Sequence, residues 1–229
     1  MSRVWASVVM LMLAPLVFAS GSGGGGGMPS GGGGESSSMS SPKPKTSAQL
    51  ATSSYNAGLG HKKKAVQFEE KAAKAKDETE RNKQLAKAKE QFEDSIQDYK
   101  KAIGLNNQLY QAMNELGYAY RKVGDYESSI KAYNAALTVR PDFTPAIEYR
   151  GEAYLALGMF DKVKESYMNL FRDDQDNAAM LMKAMDIWVQ QHPDQATPDA
   201  KAFTDWVTER KTVAAQTQSV SMNNVHNWN

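Results

Sequence analysis

The chain has 229 residues, 27 Lys plus Arg against 26 Asp plus Glu, 17 glycines and no cysteine. Zero cysteines exclude a disulfide framework, a thiolate zinc site, a cysteine nucleophile and thioether lipidation. The near balance of charge argues neither for nor against a nucleic-acid partner. Ten of the glycines fall between Gly21 and Gly34, which leaves seven for everything else and argues against a loop-rich β protein.

Arg3 is the only charged side chain before Glu35, and an apolar run from Val4 to Phe18 follows it. A basic start, an apolar stretch of 15 residues and a small residue at Ala19 read as a secretory signal peptide over 1–19. A membrane span needs about 20 apolar residues, and Gly and Ser begin where one would continue. An uncleaved anchor is the alternative. Cleavage after Ala19 removes one Arg and leaves a chain of zero formal charge; the expected destination is the periplasm or the medium if the source is bacterial.

Residues 20–47 are rich in Gly, Ser and Pro. Such a segment has too little apolar surface to offset its ordering entropy and is expected to be a disordered linker. As a flexible coil it reaches roughly 30 Å.

Beyond it the chain repeats at an offset of 34. Gly117 pairs with Gly151, Tyr120 with Tyr154, Gly124 with Gly158, Tyr126 with Phe160 and Tyr133 with Tyr167. In the other direction Tyr126 pairs with Phe92, Ser129 with Ser95, Tyr133 with Tyr99, Ala136 with Ala102 and Val139 with Leu105. Each period reads as two helices. Met113, Leu116, Tyr120 and Val123 stripe the first, and Tyr126, Ile130, Tyr133 and Leu137 stripe the second. Gly124 sits where a helix ends in the left-handed conformation, and Asp125 is placed to cap the next one. Pro141 stops the second helix, and Thr144-Pro145 is expected to supply a fresh cap, with Pro at the first position of the next helix. Gly117 and Gly151 lie inside helices, where glycine costs about 1 kcal/mol relative to Ala; close approach of the paired helix would offset that.

These residues resemble the tetratricopeptide repeat family, whose pattern runs W-x2-L-G-x2-Y, A-x3-F and P. Here it is met as Met113-x2-Leu116-Gly117-x2-Tyr120, Ser129-x3-Tyr133 and Pro141. The next copy reads Ile147-x2-Arg150-Gly151-x2-Tyr154 and Val163-x3-Tyr167, with Gln175 in place of Pro. Arg150 stands where Leu is usual, and its head is expected to snorkel outward.

The copies span 110–143 and 144–177. Upstream, the first repeat occupies 48–109 with an insertion over 61–90, because Gly58 lies 59 residues before Gly117. The inserted stretch is rich in Ala, Lys, Glu and Gln, strong helix formers, so the first hairpin is expected to be elongated and to turn near Lys76 to Lys83. Downstream, 178–213 reads as a degenerate repeat or capping pair. One helix covers Ala178 to Gln191, and a second starts at Thr197-Pro198 with Phe203, Trp206, Val207 and Val213 over one face. Residues 214–229 read as a flexible tail. The expected fold is all-α, about three to four helical hairpins, which the resemblance implies stack into a right-handed solenoid.

Nothing in the sequence points to catalysis. His61, His192 and His226 lack ligand spacing, no H-E-x-x-H or G-x-S-x-G occurs, and the glycine run has neither Lys-Ser/Thr nor a strand beside it. No metal, cofactor or enzymatic activity is expected. Asp173 and Asp174 read as a solvated helix end.

The resemblance implies a partner protein or peptide held on the concave face of the first helices. It places Asn114, Tyr118 and Arg121 there in one repeat, Glu148, Glu152 and Leu155 in the next, and Met182 and Asp186 in the cap. The Lys and Asn arrangement with which some members clamp a terminal carboxylate is not reproduced, and Glu148 and Glu152 would repel such a ligand, so a basic or mixed peptide is the expected guest.

One charge pattern stands apart. Residues 43–89 hold 12 basic and 5 acidic groups, whereas 90–229 hold 14 and 20. A basic arm containing Lys62, Lys63, Lys64, Lys71 and Lys74 joins an acidic body. Such an arm is either a solvated helix face or a dock for an anionic envelope component, a lipid surface or an acidic protein. Aromatics are nearly lacking among those lysines, so no nucleic acid is expected. After signal cleavage no membrane span is expected either.

Overall fold

A computed structural model describes residues 44–194 and 197–225. The expected signal peptide over 1–19, most of the expected linker, His226 and the last residues of the expected tail lie outside the described residues. Among the described residues eight helices follow one another: α1 Ser47–Lys74, α2 Glu78–Leu105, α3 Tyr110–Val123, α4 Tyr126–Val139, α5 Thr144–Ala156, α6 Phe160–Asp173, α7 Gln175–Gln191 and α8 Pro198–Val225. Short turns fold α1 onto α2, α3 onto α4 and α5 onto α6, while α7 packs on both α5 and α6 and α8 on α6 and α7. The architecture is all-α, in tandem helical hairpins.

The elongated first hairpin is present, with two helices of 28 residues each. Thr46 opens it with a reciprocal cap: Gln49 N donates to Thr46 Oγ1 and Thr46 N donates to Gln49 Oε1. Its turn falls at Ala75–Asp77, at the front edge of the stretch expected from sequence. Asp77 accepts from Glu80 N at 2.8 Å, and Glu78 and Glu80 set negative charge in the first turn of α2, which favours starting the helix there. Across the hairpin, His61 meets Gln91 Oε1 at 3.0 Å.

The repeat positions act as spacing predicted, with one variation. A Cβ placed on Gly117 would lie 2.6 Å from Tyr133 Cε1, and one on Gly58 2.5 Å from Tyr99 Cε1. Each second-helix tyrosine therefore rests where the first helix has no side chain. At Gly151 the approaching group is Leu181 of α7, not Tyr167. Gly124 takes the left-handed conformation at φ 88° and Asp125 accepts from Ser128 N at 3.0 Å, as expected. Phe92, Tyr99, Tyr133 and Tyr167 are buried, whereas Tyr126 and Phe160 are only half-buried. Arg150 sends Nη1 to Asn134 Oδ1 on the exposed surface, the outward course expected of it.

Two helix starts differ from the sequence reading. Thr144 does not cap α5; its hydroxyl donates to Asp174 Oδ2 at 2.6 Å instead. Asp174 in turn accepts from Asn177 N and caps α7, so α7 begins at Gln175, three residues earlier than expected. At the far end, α8 runs through Val225 rather than stopping near Ala214, since no Gly or Pro interrupts its polar second half. Phe203 fixes the helix, stacked on Phe160 with centroids 4.6 Å apart, and Trp206 meets Tyr167 edge-on at 5.6 Å. Burying the Phe203 side chain contributes roughly 3 kcal/mol.

Candidate interaction groove

Helices α3, α5 and α7 are the first helices of consecutive hairpins, and both α3 and α7 contact α5. Side chains spaced by four and then three residues fall on one face of each. That spacing joins Asn114, Tyr118 and Arg121 on α3, and Glu148, Glu152 and Leu155 on α5.

At the centre, Arg121 forms an ion pair with Glu152, helix to helix, with both side chains largely buried. The guanidinium lies 5.4 Å from the ring centroid of Tyr118 and 5.3 Å from that of Tyr149, and the two rings meet edge-on at 5.7 Å. Burial opposes the charge on Arg121, yet Tyr133, Tyr118 and Glu148 outweigh it and the group stays firmly protonated. Burial also raises the hydroxyls of Tyr118 and Tyr149 above their ordinary range, so both remain neutral donors.

A second ion pair joins α1 to α3. Lys62 Nζ donates to Glu115 Oε2 at 2.6 Å and sits 4.3 Å from the Tyr118 ring. A third lies further along the elongated helix, where Lys122 and Glu69 meet at 2.6 Å with side chains less than a tenth exposed. Burial pulls the Lys122 ammonium below its usual range, and Glu69 counteracts it.

Glu148 differs from its neighbours. It is 1% exposed, and neither carboxyl oxygen has a hydrogen-bond partner among the described residues. Burial pushes its carboxyl up to about 7, against the pull of Arg121. Asn114, one period earlier, is 5% exposed with Oδ1 likewise unpartnered.

Of the two acids expected to repel a terminal carboxylate, Glu148 is buried and Glu152 is paired with Arg121. Leu155 is buried, Met182 is half-buried, and Asp186 accepts from Lys211 of α8 at 2.6 Å. Of the basic arm, Lys63, Lys64, Lys71 and Lys74 are exposed, and Lys62 is the one drawn into the groove. Sequence reasoning missed Glu115, Tyr149, Glu69 and Lys122. Glu115 and Tyr149 each follow a chosen position by one residue, which on a helix is a turn of about 100°, and the signal for them was the charge and the ring themselves.

The adjacent acids at the end of α6 serve the helix. Asp174 is the cap described above, and Asp173 accepts from Arg172 at 2.7 Å. Among the described residues no group of three or more His, Cys, Asp or Glu could hold a metal ion, and no helix is long and apolar enough to cross a membrane.

Comparison with known proteins bears on the middle hairpin. Residues 110–143 match the tetratricopeptide repeat family model. These are the residues of α3 and α4, the repeat carrying Asn114, Tyr118 and Arg121. No curated protein matches the sequence. Among solved structures, the second tetratricopeptide domain of human RPAP3, in complex with an HSP70 peptide, is 15% identical, with a TM-score of 0.39 over 71% of this chain and 98% of that one. MamA is 18% identical, with a TM-score of 0.40 over 58% of this chain and 80% of that one. The tetratricopeptide domain of Arabidopsis OM64 is 13% identical, with a TM-score of 0.35 over 69% and 98%.

Proposed function

We propose that this chain is an exported, non-enzymatic scaffold that holds a protein or peptide partner along the groove of α3, α5 and α7. The observation that carries the reading is the tetratricopeptide match on α3 and α4 together with continuation of the hairpin stack on both sides. Consecutive hairpins of this type build one extended surface, and here it is lined by aromatic and charged side chains. Export rests on Arg3, the apolar run Val4 to Phe18 and Ala19. Replacing Tyr118 by a photo-crosslinking amino acid should capture a partner in the native compartment, while the same replacement at exposed Lys131 on α4 should not. Equal capture at both positions overturns the groove, and an N-terminus other than Ser20 on the exported protein overturns the assigned cleavage.

The basic hairpin supports a second reading, docking to an anionic partner such as an acidic envelope polymer, a lipid surface or an acidic protein. Its motive is that Lys63, Lys64, Lys71 and Lys74 are all exposed on α1. Changing these four to Gln should abolish sedimentation with envelopes at low salt, and the native protein should lose it at high salt. Sedimentation that is unchanged by either treatment rejects this reading.

A further inference from the structure

The groove holds three cations from α1 and α3, and each is already taken by an acid. Lys62 goes to Glu115, Arg121 to Glu152 and Lys122 to Glu69. Glu148 is the acid left over. A buried acceptor without a donor is rare in folded proteins, and leaving one unmade is costly, more so when it is charged. Asn114 Oδ1 is in the same condition at the same register position one period earlier, on the helix packed against α5. Three acceptor oxygens therefore lie unanswered on adjacent first helices, on the face that carries the aromatic and charged groove residues, where Arg121 Nε is a buried donor likewise without a partner.

We propose that Glu148 and Asn114 form a subsite for a lysine side chain of the bound peptide, the ammonium meeting the Glu148 carboxylate and a peptide N–H meeting Asn114 Oδ1. An ammonium brings three donors and no acceptor, which suits the two unpartnered oxygens of the Glu148 carboxyl. The neighbouring rings of Tyr118 and Tyr149, 5.7 Å apart, add the aromatic surface that a desolvated cation favours. The inference rests on the groove being the partner face and adds the chemistry of its guest.

The test uses the full chain and hexalysine carrying a photo-crosslinking diazirine, with Nε-acetylated hexalysine as the neutral control. Hexalysine should crosslink to α3 and α5, and the acetylated form should bind at least tenfold more weakly. Glu148→Gln should weaken hexalysine at least tenfold and Asn114→Leu about threefold. Glu165→Gln, which removes an exposed acid of α6, should leave binding unchanged. Crosslinks on α3 and α5 with undiminished binding to Glu148→Gln overturn the subsite and leave the groove standing. Crosslinks confined to other helices overturn both. Equal losses from Glu165→Gln and Glu148→Gln show attraction to overall charge and also overturn the subsite.

Discussion

Lys122 at the end of α3 donates to Glu69 on α1 across 2.6 Å, with both side chains nearly buried. Glu69 lies inside the 61–90 insertion, so this contact ties the added length of the first hairpin to the repeat that follows. Removing one partner of a buried pair strands the other charge, whereas replacing both with apolar groups is often neutral. Glu69→Ala should cost about 3 kcal/mol, and the double change Glu69→Met, Lys122→Met should regain most of it. Urea unfolding of the four members of this cycle measures the coupling, and single and double variants of equal stability contradict a buried, interdependent pair.

Gly117 should resist even the smallest side chain. Ala is the better helix former by about 1 kcal/mol, but its methyl would enter the ring of Tyr133, which is fully buried and has nowhere to retreat. Gly117→Ala should therefore destabilise by about 1–3 kcal/mol. Gly104→Ala, in α2 with nothing within 4 Å, should be neutral or stabilising. Thermal melts of the two variants decide the matter, and melting shifts of the same sign refute the packing role of Gly117.

Gly117 also shows why the repeat was legible from sequence. A glycine, the tyrosine that packs on it and the following turn recur at a fixed offset because they meet within one hairpin. The left-handed Gly124 and the cap on Asp125 are local for the same reason. Partners across hairpins left no such trace. Lys62 and Glu115 are 53 residues apart, separated by an insertion that breaks the period. Thr144 looked like a cap because nothing nearby showed that Asp174, 30 residues on, would take its hydroxyl. Position along a helix assigned Glu148, Glu152 and Arg121 to the groove face, but not which acid would win the guanidinium. That choice depends on how far each α5 side chain must reach to α3, a distance that hairpin packing sets.

Phe203 should anchor the last helix. It is fully buried between Phe160 and Trp188, with ring centroids at 4.6 and 5.5 Å. Truncating such a side chain removes its burial and leaves a cavity, so Phe203→Ala should cost about 3–5 kcal/mol. Hydrogen exchange should then quicken in α8 and at Trp188 more than in α3 and α4. Uniform acceleration along the chain contradicts the local anchor.

Glu148 gives the fold a pH dependence of defined sign. Burial raises its carboxyl from 4.5 to about 7, with Arg121 opposing. Between those values the folded protein holds a proton that the unfolded chain has released. Fewer protons on the unfolded state mean that stability falls as pH rises through this window and levels off above it. The full effect of the shift is about 3 kcal/mol. Glu148→Gln carries no titrating group, so it should lack that part of the slope. It should match the native protein near pH 4.5 and exceed it by up to about 3 kcal/mol at pH 8. Urea midpoints taken in half-unit steps from pH 4.5 to 8 check this directly. A constant difference between the two proteins across the window would show that the Glu148 carboxyl is ionised throughout, and that a donor already meets it in the folded protein.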